Sequence, residues 1–389
     1  MPDVQRFTTS TKLSFAEKHL YDVIVVGAGP AGSSAAYHLA RQGADVLLVD
    51  RYTFPRDKCC GDAVMPPALE ELALMGLADA VQHRYASAKN ISVWLYGLPP
   101  TQHPVDASPH FSRGFIAPRA DFDALLCDHA LQQGASWLDN LVVHEMEMGE
   151  DEDAGYALVH GMRGERPVRL RCRIVIAADG SGSRLARQLR QRCIEQGDTA
   201  PLTAPEDART RFTAMRGYYA QIDNLQDTLD FYFRADPGIH YYWIFPLQDG
   251  LANVGIIASL QQLHTDHPDL AQSLETFLRV GDTRASQAAL QGKLRAAPIA
   301  SGMRGTALYG DHILCVGDAA ALVHPVSAEG ISEALTSGRL AAETSLVALK
   351  RQDFSQETLR LYGDALRSLY QDLYDTLLVG DGTLPLQSH

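Results

Sequence analysis

An α/β fold carrying an added antiparallel sheet follows from three features of the 389-residue sequence. An apolar, β-branched run from Tyr21 to Val26 leads into a glycine-rich turn and a helix. Two later apolar runs end in an Asp/Gly pair, Asp179-Gly180 and Gly317-Asp318. Between those pairs, Arg211 to Leu260 alternates apolar and polar residues in the manner of an antiparallel sheet.

The first feature is the most informative. Gly27, Gly29 and Gly32 form a G-x-G-x-x-G turn into a helix spanning Ala31 to Gln42, and a second strand, Asp45 to Val49, ends on Asp50. Such a βαβ unit is a Rossmann-like dinucleotide site. Gly27 permits the tight turn, Gly29 lets backbone approach a pyrophosphate, and Gly32 lets helix and strand pack closely. The helix start, with Ala31, offers unpaired N–H groups and positive partial charge to phosphates. Asp50 follows at the spacing of an acceptor for the adenosine ribose.

Composition narrows the partners. A formal charge of −13 argues against nucleic acid and against general attraction to anionic lipid. No apolar run approaches the ~20 residues that span a bilayer. Met1 to His19 is polar and lacks the apolar core of a signal peptide, so it is expected to be a loose N-terminal extension (1–19) before the first strand. Cysteines stand at 59, 60, 127, 172, 193 and 315 without a C-x-x-C, which suits a reducing cytoplasm. No His/Cys cluster has zinc-ligand spacing, so no metal is expected.

After Asp50 the stretch Arg51 to Asp62 is irregular and dense in Arg, Asp, Lys and Cys. Arg51 and Arg56 are candidates for cofactor phosphates, and Cys60 sits beside a glycine where a ligand could approach. Pro67 to Leu77 reads as a helix with Leu69, Leu72 and Leu74 on its apolar face, and Ala88 to Leu98 as a strand. A helix then runs to Gln133 with Asp121 as its N-cap, and Arg119 ahead of it could reach a phosphate or ribose. Leu141 to Met148, Tyr156 to Met162 and Val168 to Arg171 read as a meander of short strands, followed by a separate buried strand from Arg173. Asp179 and Gly180 lie at that strand's C-terminal end, where α/β sheets bind ligands. Cys193 to Arg209 reads as an exposed connection.

The alternating segment is rich in aromatics. Along Tyr241-Tyr-Trp-Ile-Phe-Pro246 the period of two puts Tyr241, Trp243 and Phe245 on one face and Tyr242 and Ile244 on the other. Leu260 to Leu290 reads as helical. Ile313 to Asp318 is a second strand ending in Gly-Asp, with Asp318 placed to bond a sugar-like chain. A long helix opens at Ser327 to Ile331, its positive end near Gly330 and Ile331. Leucines and tyrosines from Leu359 to Val379 recur at helical spacing, as expected of a helix packed on the body; the lesser reading is a membrane or dimer contact. These features give a discontinuous nucleotide-binding domain (20–85, 111–195, 299–350), a substrate domain (86–110, 209–298) and a C-terminal helical segment (351–389).

The three motifs in this order resemble FAD-dependent oxidoreductases of the p-hydroxybenzoate hydroxylase class, and within it the geranylgeranyl reductase family. Phe54-Pro-Arg-Asp-Lys-Cys-Cys-Gly-Asp62 is similar to that family's F-P-R-x-K-P-C-G-D stretch, placing Cys60 on the family cysteine that lies near the flavin. Tyr241 to Pro246 with Gly255 is similar to its Y-x-W-x-F-P-x8-G-x-G substrate motif, and Gly317-Asp318 with Glu329-Gly330-Ile331 to its cofactor motif. The chain departs from the family at Cys59 (proline), Ile257 (the last glycine of the substrate motif) and Ala328 (the first glycine of G-E-G). The resemblance implies an FAD-binding domain, a substrate domain and reduction of carbon–carbon double bonds in a prenyl-type or similarly apolar small molecule or lipid. FAD would be held by Gly27, Gly29, Ala31, Gly32, Asp50, Arg51, Arg119, Asp179, Gly180, Asp318, Gly330 and Ile331. The helix end at Gly330 would favour the negative charge of a reduced flavin by ~0.3–1 kcal/mol. Cys60 would act as acid or positioner, since an ordinary cysteine thiol, pKa ~8.5, is mostly protonated near neutrality. Tyr241, Trp243 and Phe245 would shape the substrate channel. Two alternatives remain: an FAD-dependent monooxygenase or halogenase of aromatic or carrier-bound substrates, and a non-catalytic electron-transfer flavoprotein. No second G-x-G-x-x-G marks a nicotinamide domain, so NAD(P)H, ferredoxin and a flavin reductase all remain possible electron donors. The expected location is cytoplasmic, with peripheral membrane contact possible.

Overall fold

The computed structural model describes residues 11–95, 97–105, 108–149, 155–206, 210–234, 239–260 and 269–379. In chain order its strands are β1 (Leu20–Val26), β2 (Val46–Val49), β3 (Ala63–Val64), β4 (Ala86–Ala88), β5 (Asn90–Leu95), β6 (Thr101–Pro104), β7 (Gly114–Ile116), β8 (Ser136–Leu138), β9 (Val142–Gly149), β10 (Tyr156–Arg163), β11 (Arg166–Ala177), β12 (Arg211–Ala220), β13 (Thr228–Phe233), β14 (Ile239–Pro246), β15 (Ala252–Ser259), β16 (Ala289–Ala300), β17 (Tyr309–Gly310) and β18 (Ile313–Cys315). They divide between two compact units. One comprises Met1–Arg56, Asp123–Asp207 and Ala300–His389; the other comprises Asp57–Phe122 and Ala208–Ile299.

The first unit is built on a sheet of order β17-β18-β11-β1-β2-β8, with β10 and β9 added beside β11. β1 runs parallel to β11 and β2, and β11 parallel to β18. Parallel strands covered on both faces need continuous apolar runs, as Val23–Val26 and Val46–Val49 supply. Helices Pro30–Arg41 and Ile331–Arg351 pack so closely that a Cβ at Gly338 would lie 2.2 Å from the Ala31 carbonyl oxygen. Ser34 Oγ donates to the Leu335 carbonyl at 2.8 Å across the same seam.

Several expectations are corrected here. The separate strands read at Val168 and Arg173 are one, β11: its first half pairs with β10, and its second half lies between β1 and β18. The helix Arg184–Gln196 extends into the supposed connection at Cys193 and stops where Gly197 turns left-handed (φ 70°). Residues 11–19 are not a loose extension: Leu13–Ala16 forms a helical turn, Ala16 is buried, and Thr11 N–H donates to the Trp137 carbonyl at 2.7 Å. The long helix expected from Ser327 begins at Ile331. The C-terminal helix is broken by a π turn, Arg367–Gln371, between Gln356–Leu366 and Asp372–Val379. The wider turn rotates the apolar stripe, so Leu359, Tyr362, Leu366 and Tyr374 are buried while Leu369 and Leu373 face outward.

The second unit holds a sheet of order β16-β12-β15-β14-β13-β5-β6 and a small sheet β3-β7-β4. One face of the large sheet carries a core of Tyr219, Tyr232, Tyr242, Ile244, Val254 and Ile256, packed with Leu274 and Phe277. The stretch expected to be helical from Leu260 to Leu290 resolves into Leu270–Thr276, a π turn Phe277–Gly281 and a 3-10 turn Thr283–Ala285; residues 261–268 lie outside the described residues. β16 was not foreseen, because Ala289–Ala300 is an exposed edge strand without apolar alternation. Helix Pro66–Leu74 buries Leu69 and Leu72 but leaves Leu74 exposed. Residues 57–85 and 111–122, read from sequence as part of the nucleotide-binding domain, fall in this unit, because β3, β4 and β7 pair there and Asp57 to Asp62 is tied to β12 and β15.

Candidate functional sites

In the first unit three parallel strand ends bring the sequence motifs together. Ala178 N–H donates to Val26 O at 2.8 Å and Val316 N–H to Ala177 O at 3.0 Å, so Gly27, Asp179 and Gly317 leave the sheet side by side. Gly27 has φ +105°, and a Cβ there would lie 2.3 Å from the Ala178 oxygen; at Gly32 it would lie 1.8 Å from the Gly27 oxygen. Only glycine fits either place. Gly29 caps helix Pro30–Arg41 without a side-chain hydrogen bond, and Gly330 does the same for Ile331–Arg351. Both helix starts therefore keep N–H groups for an anion.

Asp50 is buried. Its Oδ2 accepts from Ala28 N–H and its Oδ1 from Tyr52 N–H, each at 2.9 Å, leaving lone pairs for a sugar hydroxyl. Arg56 is committed to the fully buried Asp123 at 2.7 Å, with Asp50 3.8 Å away, so it orders this carboxylate pair and is not the free phosphate ligand the sequence suggested. Arg51 is exposed, stacks on Tyr52 and acts through its charge on Asp179. Burial raises the Asp179 carboxyl; its Oδ2 accepts from Arg184 N–H at 3.1 Å, while its buried Oδ1 has no hydrogen-bond partner. A Cβ on Gly180 would meet nothing within 4 Å. Asp318 Oδ1 lies 3.8 Å from where a Gly330 Cβ would stand, so this carboxylate faces the start of helix Ile331–Arg351. An orphaned buried oxygen, open space beside it and two uncapped helix starts fit a dinucleotide carrying hydroxyls and phosphates.

The same helix start holds a group that sequence reading missed. Glu333 is buried, and its carboxyl is pushed up to about 7, first by burial and further by the charge of Glu329. Ser332 Oγ donates to it at 2.8 Å. Burial also lowers His324, whose Nδ1 accepts from the N–H groups of Val326 and Ser327.

In the second unit β12, β15 and β14 align three rows of side chains on the face opposite the core. They are Ala214–Ile257–Tyr241, Arg216–Gly255–Trp243 and Tyr218–Asn253–Phe245. Tyr241, Trp243 and Phe245 share that face as expected, with ring centroids 6.1 and 6.2 Å apart, and Phe231 joins Tyr241 and Phe245 at 5.4 and 5.1 Å. Gly255 is required because a Cβ there would lie 2.1 Å from the Trp243 ring.

The segment Asp57 to Asp62 is strapped across this face. Arg216, buried and charged, donates to Asp57 and to the Lys58 carbonyl (3.0 Å). Cys59 Sγ donates to Arg295 O at 3.3 Å, and burial pushes its thiol up to about 12. Cys60 is half-buried; its carbonyl accepts from Asn253 Nδ2 at 2.8 Å and its Sγ from Asp62 N–H at 3.3 Å. A Cβ on Gly61 would lie 3.0 Å from the Phe245 ring. Asp62 Oδ2 accepts from Tyr218 Oη at 2.7 Å and Asn253 Nδ2 at 2.8 Å. Burial lifts Asp62 to about 6, against the opposing charges of Arg216 and Arg119 and those two hydrogen bonds. Burial, and after it the neighbouring Asp62 carboxylate, raises Tyr218. Arg119, the buried first residue of helix Arg119–Gln132, thus acts on Asp62. Asp121 lies inside that helix rather than at its cap, where it accepts from Tyr85 Oη at 2.8 Å and from Arg84. Arg216, Tyr218 and Asn253 escaped the sequence reading; the signal was a polar residue at alternate positions of otherwise apolar strands.

Among the described residues no group of three or more His, Cys, Asp or Glu is placed to hold a metal ion, and no helix is long and apolar enough to cross a membrane.

Comparison with known proteins gives a consistent set. The FAD binding domain family matches residues 20–364. A menaquinone reductase of Mycobacterium tuberculosis is 34% identical over 349 residues, covering 83% of this chain and 76% of the relative. A digeranylgeranylglycerophospholipid reductase of Methanopyrus kandleri is 30% identical over 88% of this chain and 81% of its own. Among solved structures, a geranylgeranyl bacteriochlorophyll reductase-like protein from Thermoplasma acidophilum superposes with a TM-score of 0.79 at 23% identity, covering 95% and 89% of the two chains. The myxobacterial chondrochloren halogenase superposes at 0.75 with 20% identity, covering 92% and 82%.

Proposed function

We propose that this protein, which belongs to the geranylgeranyl reductase family of FAD-dependent oxidoreductases, reduces carbon–carbon double bonds in a prenyl-type chain of an apolar lipid or quinone. Its cofactor is FAD. The observation that carries the substrate reading is the aromatic face of the second unit, where Tyr241, Trp243, Phe245 and Phe231 lie beside the strap bearing Cys60. Relatives named for menaquinone and for a digeranylgeranyl lipid support the same substrate class. Four adjacent rings suit a branched hydrocarbon through their apolar area, and the Trp243 N–H is turned away to Asn253 Oδ1 at 2.9 Å.

The mechanism divides the work. When bound and reduced, the flavin supplies a hydride. Gly27, Gly29, Ala31 and Gly32 would hold its phosphates at the helix start, and Asp50, Asp179 with Gly180, and Asp318 its hydroxyls, with Arg51 as a cationic contributor. Gly330 and Ile331 would present the positive helix end to an anionic ring. Tyr241, Trp243 and Phe245 orient the alkene and exclude water, and Cys60 holds at Sγ the proton destined for the second alkene carbon. The halogenase alternative rests on likeness of fold alone. The deciding experiment is anaerobic photoreduction of the FAD-loaded protein, then addition of prenyl lipids, prenylated quinones and aromatic acids. Reoxidation with a product two hydrogens heavier supports the reading. Reoxidation only by oxygen, with a hydroxylated or halogenated aromatic product, replaces it.

A further inference from the structure

We propose that Asp62 and Asn253 are positioning residues for Cys60, fixing where its thiol stands by clamping the backbone on both sides of it. Only the chemistry that Cys60 serves rests on the reductase reading. Among the described residues the Cys60 sulfur receives one hydrogen bond, from Asp62 N–H at 3.3 Å, and thiols are weak acceptors. Its position must therefore come from the turn Cys60-Gly61-Asp62. That turn is held at both ends. Before Gly61, the Cys60 carbonyl accepts from Asn253 Nδ2 at 2.8 Å. After it, Asp62 takes a left-handed backbone (φ 65°), unusual outside glycine, and its carbonyl accepts from Ala117 N–H at 2.8 Å. Its carboxylate is gripped by Tyr218 and by the same Asn253 amide.

The orientation of Asn253 follows from donor chemistry. Trp243 Nε1 can only donate, and it points at Asn253 Oδ1 at 2.9 Å. The amide nitrogen must then face the Cys60 carbonyl and the Asp62 carboxylate, both acceptors. One fully buried side chain thus links the aromatic face to the cysteine turn. The second Asp62 oxygen is buried without a partner, so the carboxylate is held through Oδ2 alone. Charged and titratable groups acting on Asp62 are Arg216 and Tyr218 of β12 and Arg119.

The test uses the full-length FAD-loaded protein and four variants, Tyr218→Phe, Asp62→Asn, Asn253→Ala and Cys60→Ser. Iodoacetamide alkylation is followed by peptide mass spectrometry, with Cys60→Ser identifying the Cys60 signal. Alkylation of Cys60 should quicken at least threefold in Tyr218→Phe and at least tenfold in the other two, with flavin retained. Turnover of a prenyl substrate, counted per bound flavin so that unfolded protein does not contribute, should lose kcat at least tenfold in Asp62→Asn with KM changed less than twofold. Alkylation rates within twofold of the parent in flavin-retaining Tyr218→Phe and Asp62→Asn would overturn the proposal. If Asp62→Asn does not fold, Tyr218→Phe decides by itself. Altered alkylation in a protein that reduces no prenyl substrate sinks the reductase reading and leaves the clamp standing; normal turnover with unaltered alkylation does the reverse.

Discussion

Replacing Glu333 by Gln should stabilise the protein in alkali and leave it nearly unchanged in acid. Glu333 is buried in the first turn of the helix after Gly330, and its carboxyl is raised from 4.5 to about 7 by burial and by Glu329. A folded-state value above the unfolded one means that the native protein binds this proton more tightly. Its stabilising effect is complete below about 4.5, shrinks as pH rises, and is gone above about 7, where ionising the buried group costs the native state ~3 kcal/mol at about 1.4 kcal/mol per tenfold. Glutamine keeps the shape and an acceptor for Ser332 but never ionises. The urea midpoint of the FAD-loaded variant, compared with the parent at pH 5 and pH 8.5, should show a gain that is small at the lower pH and worth up to ~3 kcal/mol at the higher. Glu329→Gln removes both the like charge beside Glu333 and a second carboxyl that burial raises, and should give a gain with the same pH sign. An equal gain at both pH values, or none at 8.5, would refute the assignment of the raised carboxyl to Glu333.

Other outcomes follow from single contacts. Cys60→Ser should cut alkene reduction at least tenfold while flavin absorbance is retained; unchanged turnover removes Cys60 from the mechanism. Gly255→Ala places a methyl 2.1 Å from the Trp243 ring and should cost ~1–3 kcal/mol of stability by overpacking, read as a lower denaturant midpoint. Asp50→Ala removes an acceptor for a ribose hydroxyl and for Ala28 N–H, and should weaken FAD binding about tenfold or more, by titration of the apoprotein. Ala328 holds φ 57° where the family resemblance implies glycine, so Ala328→Gly should be neutral to ~1 kcal/mol stabilising.

The nucleotide half was legible because its signals are local. Gly27, Gly29 and Gly32 follow a strand directly, and Asp50 ends the next one, so one βαβ unit carried the inference. The pairing of Tyr241, Trp243 and Phe245 on one face was legible for the same reason, a period of two within one strand. The clamp around Cys60 was not, because Asn253 is 193 residues away and Tyr218 lies 156 residues from Asp62. No pattern within a segment shows that pairing of β12, β15 and β14 will set these side chains in one row. Arg56 was misread for a related reason: its buried partner Asp123 lies 67 residues on, so an Arg beside a ribose-binding strand looked free. Edge strand β16 escaped because most of its positions are exposed and only Leu294 packs toward the core, too little to show the alternation by which strands are recognised.

That rim of the large sheet has a consequence for solubility. A twelve-residue ladder border invites another chain to add itself, and cross-strand recruitment of this kind seeds clumping. Here Lys293 puts a cation on the border, Arg295 is held by Asp57 at 3.4 Å, Gly292 weakens the strand's extended geometry, and Pro298 carries no N–H to donate. Converting Lys293 to valine should therefore leave the fold intact yet turn a dispersed solution turbid on concentration.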